Sequence, residues 1–519
     1  MSEKSPSKWT LLFLLSAKNN LFMEQLNVIK EIYSVGSSDN VNFVIILDGI
    51  GGDKFSDLME KPHIFFAKRK SDFLTDTHIY ILDKKEATLT HKKDLKSMLD
   101  FVIEKFPADN YGFFYKGHGG PGETDLAKGI FDTKMGHVDP AWSEEEIENQ
   151  FRNNQPGWHF EGFCEYPAVQ PNSRNKKPVL LIYSKENTGS LSYADLAEVL
   201  EDVFKGKLGF CCMDCCWAQQ IENAYNFKNV TEYFIASADE MPALGVGYAQ
   251  LCTHFINRPA ISPEEAANLL VAINYNQNYA DYDSEIIEFR QMGVSITSTC
   301  LTEFEEFLTA FTKLCKKLSD NLKNKDDYTY LIFEAARKNC ADYTYVDTEK
   351  LPAEKIDYPM FNIDLIWFME NLLFYNVNAK LDTLIYEVLF LLKNKLITSF
   401  LGSNYKKSVM GTRAMGGKGI SICFPINKSH AKISILTSKE MKFYNDSGWK
   451  ELLKIYYKYK QEGHFKNEEE YKIAQKILAD AKSMKAKATE LDERAIFRPA
   501  SKEEILKVRT NGKLKSSSA

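Results

Sequence analysis

A thiol and an imidazole are the side chains in this sequence best suited to covalent chemistry. Residues 208–225 read LGFCCMDCCWAQQIENAY. The first half is apolar and too short for a helix, the mark of a buried strand. In the second half Trp217, Ile221 and Tyr225 recur at intervals of four, one face of an amphipathic helix. The period changes at Asp214-Cys215-Cys216, so a strand is expected to run straight into a helix, with Cys216 at the helix N-terminus. Unpaired N–H groups and the positive helix end would there favour a thiolate, a strong nucleophile. Upstream, residues 111–120 read YGFFYKGHGG, another apolar run, ending in His118 and two glycines. Strands of one parallel sheet present their carboxyl ends on a shared edge, where open α/β folds place their sites. His118 and Cys216 are therefore expected to meet there. Gly119 lets the backbone turn so that an N–H points inward. With the N–H of Cys216 it would form an oxyanion hole.

Asp214 stands two positions before Cys216, and residues two apart in a strand share a face. A carboxylate beside the nucleophile suits a cationic side chain just before a scissile bond, Arg through two hydrogen bonds and Lys as a point charge. Asp239 and Glu240 follow the apolar run TEYFIAS at 231–237 and are expected to border the same edge, with a plain solvated turn as the other reading. Cys211, Cys212 and Cys215 read as packing residues. Alternate strand side chains point to opposite faces, so the cysteines of 211–216 cannot all reach one zinc, and no metal site is expected.

The arrangement resembles the clostripain-like cysteine peptidases, relatives of caspases, legumains and gingipains. The resemblance rests on a strand ending His-Gly, a strand ending Asp-x-Cys, and a Glu six residues after the Cys, here His118-Gly119, Asp214, Cys216 and Glu222. It extends through YFIASADEMPALGVGY (233–248), FNIDLIWFMENL (361–372), GISICFP (419–425) and GWKELLKIYY (448–457), covering roughly residues 8 to 460. It implies a caspase-like α/β fold, a His118–Cys216 dyad, and Asp214 in the specificity pocket. It further implies a cysteine endopeptidase cleaving after Arg, with Lys second, through a thioester acyl-enzyme. The sequence departs from the pattern at Gly117, where small hydroxyl residues are common, and at Cys215 and Trp217, which flank the nucleophile with bulk. Glu222 is expected to be structural. The resemblance also implies self-cleavage between the dyad residues, in the long stretch 120–190. Arg152, Arg174, Lys176 and Lys177 are its candidates, and NSRNKKP (172–178) is favoured. No organic cofactor is implied. Calcium enters by resemblance alone, since no EF-hand pattern is present.

Alternating strands and helices with near-continuous apolar strands argue a mostly parallel sheet covered on both faces. Strands are expected at 9–17, 42–49, 78–82, 208–214 and 231–237, besides the one leading to His118. Helices are expected at 20–34, 94–106 and 192–205. Residues 1–250 form the catalytic domain in this reading. Residues 251–465 form a mostly helical subdomain, with helices near 301–325, 328–339, 363–376 and 381–400 and an added strand near 419–425. A charged helix and disordered tail fill 466–519.

A chain of 519 residues can bury a large core. A formal net charge of −6 shows no nucleic-acid face, and no apolar run approaches the ~20 residues of a membrane span. The start, MSEKSPSKWTLLFLLSA, imitates a secretion signal but lacks a small-x-small cleavage site. Ten cysteines without a spaced framework fit a thiol enzyme in a reducing compartment. Synthesis in the cytoplasm is expected, with export independent of a signal peptide left open. Protein or peptide substrates are the expected partners. The rivals are a pseudoprotease scaffold, a metacaspase-like or legumain-like peptidase of other specificity, and a thiol-rich metal-binding protein.

Overall fold

The computed structural model describes residues 6–17, 21–48, 62–69, 79–82, 89–117, 119, 191–206, 208–239, 241, 245–279, 295–340, 343, 362–376, 378–402, 417–425, 428, 431, 435–436 and 442–462. Its strands are β1 (Ser7–Ser16), β2 (Val41–Asp48), β3 (His63–Phe66), β4 (Ile79–Ile81), β5 (Ala108–Lys116), β6 (Leu208–Asp214), β7 (Thr231–Ala236), β8 (Ser295–Cys300), β9 (Asn362–Asp364), β10 (Ile397–Gly402) and β11 (Ser421–Cys423). Nine of these form one sheet in the order β10-β8-β7-β6-β5-β1-β2-β3-β4, and β11 pairs with β9 in a second. The centre of the large sheet, β2-β1-β5-β6-β7, is parallel. Both flanks are antiparallel.

The centre is the stretch that the sequence makes plain. β6 is buried at every position, as a parallel strand covered on both faces must be. One face packs against α1 (Phe22–Val35), α5 (Tyr248–Asn257) and α6 (Pro263–Tyr279). The other packs against α2 (Lys92–Lys105), α3 (Tyr193–Phe204), α4 (Ile221–Asn226) and α7 (Phe304–Lys323). Strand alternation divides β6 between these layers, Cys211 and Met213 facing one and Phe210 and Cys212 the other.

The helix starts follow their caps. Ser192 accepts from the Asp195 N–H at 3.0 Å and opens α3. Ser262 and Glu265 exchange both bonds of a capping box at the head of α6, at 3.2 and 3.1 Å. Such caps are each worth about 1 kcal/mol.

Four sheet strands lie outside the expected set: β3, β8, β9 and β10. The helix expected at 381–400 ends as α10 (Ala379–Leu391), passes through a π-turn at Leu392–Leu396 and enters β10. β8 and β10 extend the large sheet, so it runs across residue 250, and α5 and α6 cover the same sheet. The strand expected near 419–425 is β11, in the small sheet with β9. The apolar start that imitates a secretion signal is β1, the strand between β2 and β5 at the middle of the sheet. All of 120–190, and all of 466–519, lie outside the described residues.

Candidate active site

β5 and β6 are neighbours, paired in parallel with Lys116 opposite Asp214. Just past their ends the Gly117 N–H reaches the Asp214 carbonyl at 3.4 Å. A Cβ placed on Gly119 would collide with the Cys216 carbonyl and with the Cys215 side chain. Gly119 is thus pressed directly against the turn after β6, and only a glycine lets the backbones approach so closely. His118, Gly120 and Glu240 lie outside the described residues, as do Arg152, Arg174, Lys176 and Lys177.

The segment after β6 differs from expectation. α4 begins at Ile221, not at Cys216, and is a single short helix. Cys216 stands in the intervening turn, so no helix end can activate it. Trp217 takes the left-handed conformation, φ 52°, which costs energy for a side chain of this bulk. The turn is held by backbone bonds to the segment after β7. The Trp217 N–H donates to the Asp239 carbonyl at 2.9 Å, and the Gln219 N–H to the Ser237 carbonyl at 2.7 Å. On the far side Ser421 N–H donates to the Gln219 carbonyl at 3.0 Å, tying the turn to β11. Of the three residues spaced at intervals of four, Ile221 and Tyr225 are buried on α4, whereas Trp217 is buried from the turn before it.

The two adjacent thiols part company here. Cys215 is buried in the α2/α3 layer, 3.7 Å from the Tyr193 hydroxyl, and burial pushes its thiol well up. Cys216 lies on the opposite face and is partly exposed. The Met241 N–H donates to its sulfur at 3.3 Å, and the Met241 carbonyl is 3.9 Å away. A backbone N–H aimed at sulfur favours its anionic form. Met241 was not read as a site residue from sequence, since any residue supplies a backbone N–H.

Asp214 is almost wholly buried. Its Oδ2 accepts from Lys116 Nζ at 3.1 Å and from the Tyr248 hydroxyl at 2.7 Å. Its Oδ1 is buried with no partner among the described residues. Lys116 is equally buried, 3 % exposed against 1 % for Asp214. Sequence reading passed over Lys116 and Tyr248. The available signal was a lysine inside an otherwise apolar strand, since buried charges are kept only when paired. Asp239 is buried too, and its backbone serves the Trp217 turn.

Glu222 is far from this face. Its Oε1 accepts from the Cys423 N–H at 2.8 Å, joining α4 to β11, and burial raises its carboxyl to about 7. Among the described residues no three His, Cys, Asp or Glu side chains cluster to hold a metal, and no helix is long and apolar enough to cross a membrane.

A mostly parallel sheet with helices on both sides, holding Cys216 at its carboxyl edge with Gly119 from the neighbouring strand's end packed on the same turn, is the framework of a cysteine peptidase of caspase-like fold. The particular kind is given by sequence: a profile of the clostripain family matches residues 168–456, more than half of the chain, and the chain belongs to that family. It is similar in fold to a secreted C11 cysteine protease from Bacteroides thetaiotaomicron, "iotapain". That likeness has a TM-score of 0.54 at 16% identity and covers 85% of this chain and 99% of the other. The same bacterium's secreted C11 protease in complex with an irreversible peptide inhibitor is similar with a TM-score of 0.51, at the same identity and coverage. No curated protein sequence matches the chain.

Proposed function

We propose that this chain is an endopeptidase in which Cys216 attacks the scissile carbonyl and His118 delivers the proton to the departing amine. The C–N bond breaks, a thioester acyl-enzyme forms, and water then releases the acid and restores the thiol. One observation carries the reading: a partly exposed sulfur at the sheet's carboxyl edge, with Gly119 packed on its own backbone. The pairing of β5 with β6 supports it further. Lys116 and Asp214 are opposite one another with an offset of 98, and 216 − 118 gives the same offset for the proposed dyad. The N–H groups of Gly119 and Cys216 are the proposed oxyanion donors, a role worth about 10²–10³ in rate per donor.

The proposed substrates carry a basic residue before the scissile bond, Arg first and Lys second. The support is Asp214 Oδ1, a buried carboxylate oxygen without a partner among the described residues, which a substrate cation would satisfy. Asp239 and Glu240 are proposed to border the same slot. Self-cleavage within 120–190, at Arg152, Arg174, Lys176 or Lys177, completes the proposal. So does synthesis in the cytoplasm, with later export left open. Wild type and Cys216→Ala, incubated side by side and sequenced at new N-termini, test the processing. A new terminus in wild type alone is expected, and the same nick in both defeats it. The central test is labelling with an arginyl ketone electrophile followed by peptide mapping. Modification at Cys216, lost in His118→Ala, is expected. Modification elsewhere overturns the mechanism.

A further inference from the structure

Lys116 and Asp214 are brought together by the pairing of β5 and β6, and their side chains leave the sheet on one face. They meet under the chain at Gly245, where an added Cβ would collide with both Asp214 Oδ2 and Lys116 Nζ. Gly245 has φ +73°, so both its conformation and its closeness require glycine. Tyr248, at the start of α5, closes the third side. Its hydroxyl is bonded to the same Oδ2, and Lys116 Nζ lies 5.9 Å from its ring centre. Among the described residues Oδ2 thus holds two donors and Oδ1 none. Glu24 and Glu31 of α1 also feel the Lys116 charge.

An unshared carboxylate offers a substrate guanidinium two parallel hydrogen bonds, the basis of Arg preference. Here one oxygen is already spoken for, and a full positive charge stands about one hydrogen-bond length from it. A substrate cation arriving at Oδ1 meets a pair with no net charge. It can bond through one oxygen only, which a lysine ammonium does as well as an arginine.

We propose that Lys116 is a specificity-determining residue: it competes within the chain for Asp214, lowering the preference for a basic residue over a neutral one and narrowing that for Arg over Lys. The inference rests on the reading of Asp214 as the acid of the substrate slot. Lys116 acts through Asp214 and positions it, without touching the reacting atoms.

The test is kcat/KM on peptides that differ only before the scissile bond, carrying Arg, Lys, citrulline or norleucine. It is run on wild type, Lys116→Met and Lys116→Gln, with thermal unfolding as the folding control. In wild type Arg and Lys peptides are expected within about threefold of each other, since neither gains a second hydrogen bond. Lys116→Met leaves the Tyr248 hydroxyl as the remaining donor on Oδ2, which opens that oxygen's second lone pair to a guanidinium and is expected to raise the Arg:Lys ratio about tenfold. Both variants remove the competing charge and are expected to raise Arg over citrulline, and Lys over norleucine, about tenfold. Ratios unchanged in folded, active variants overturn the inference. So does a wild-type Arg:Lys ratio above about thirtyfold, which needs no variant to fold. Absence of cleavage in wild type together with no labelling of Cys216 overturns the peptidase reading itself, a different failure from unchanged ratios in an active enzyme.

Discussion

Cys215 and Cys216 are consecutive in the chain and lie on opposite faces of the same sheet edge. Cys215 is sealed in the layer of α2 and α3 beside Tyr193, its thiol held neutral by burial. Cys216 reaches the open side, with the Met241 N–H on its sulfur. The acids divide the same way. Asp214 shares the face of Cys216 and is paired with a lysine, whereas Glu222 shares the other layer and is bonded to a backbone N–H of β11. One face holds a buried ion pair beside the partly exposed Cys216. The other holds groups whose charged forms burial disfavours, and these brace the fold. A single step along a strand is enough to separate chemistry from packing.

The sharpest attack on this division is at Cys216. Cys216→Ala is expected to lower kcat/KM at least about 10⁴-fold, the scale at which loss of a nucleophile leaves only binding and oxyanion stabilisation. Its melting temperature should stay near that of wild type, because the sulfur fills no sealed cavity. Peptide hydrolysis and thermal unfolding measured on one preparation check both halves. Substantial activity in the variant would erase the contrast between the thiols. Next in size is Asp214→Asn. It removes the charge while keeping the shape, and cleavage after Arg is expected to fall about 10- to 100-fold, the value of one charge-assisted hydrogen bond. Cleavage of a matched neutral peptide should change far less, and equal losses on both peptides would mark Asp214 as a brace for Lys116 alone.

The bracing face carries its own signature in pH. Burial raises Glu222 to about 7 and Asp364, which caps α9 (Leu365–Tyr375), to about 6. In each the folded protein holds its proton more tightly than the unfolded chain does. Their contribution to stability is therefore complete below about pH 4 and is lost as pH rises through about 6 to 7. For Glu222 alone the loss is about 3 kcal/mol across that window, taking 1.36 kcal/mol for each pH unit of difference. Denaturant unfolding from pH 4.5 to 8 should show the decline, and Glu222→Gln should flatten it. A slope that survives the substitution would assign it to Asp364 or elsewhere.

What could be read beforehand follows the same physical line. β1, β2, β5, β6 and β7 were legible because a strand buried on both faces is written as an unbroken apolar run. β8 was not: SITSTC is buried at every position yet mostly polar, its hydroxyls bonded to neighbours such as the Gly419 carbonyl and Gln219. β10, ITSFLG, follows α10 with no glycine or proline to mark the change, so helix periodicity carried on through it on paper. At the site, Asp214 and Cys216 were visible by type and spacing. The turn that holds Cys216 was not, because its left-handed Trp217 breaks the usual preference of bulky residues. Lys116 was in plain view, but whether a buried lysine meets a carboxylate depends on strand register, which single-sequence reading does not give.

The smallest expected effect is at Cys215 itself, and it decides whether the two thiols differ in kind or in degree. Cys215→Ala removes a buried sulfur that packs beside Tyr193 and lies against the backbone at Gly119. The expected cost is about 1–2 kcal/mol of stability, in the ordinary range for a small truncation in a core. Activity per folded molecule should stay within about threefold of wild type, since Cys215 faces away from Cys216 and no step of the reaction uses it. Active-site titration with the arginyl ketone separates the folded fraction from its turnover. A large loss of turnover at full titration would mean that Cys215 fixes the approach of Gly119 to Cys216, and so belongs to the reactive face despite standing on the other.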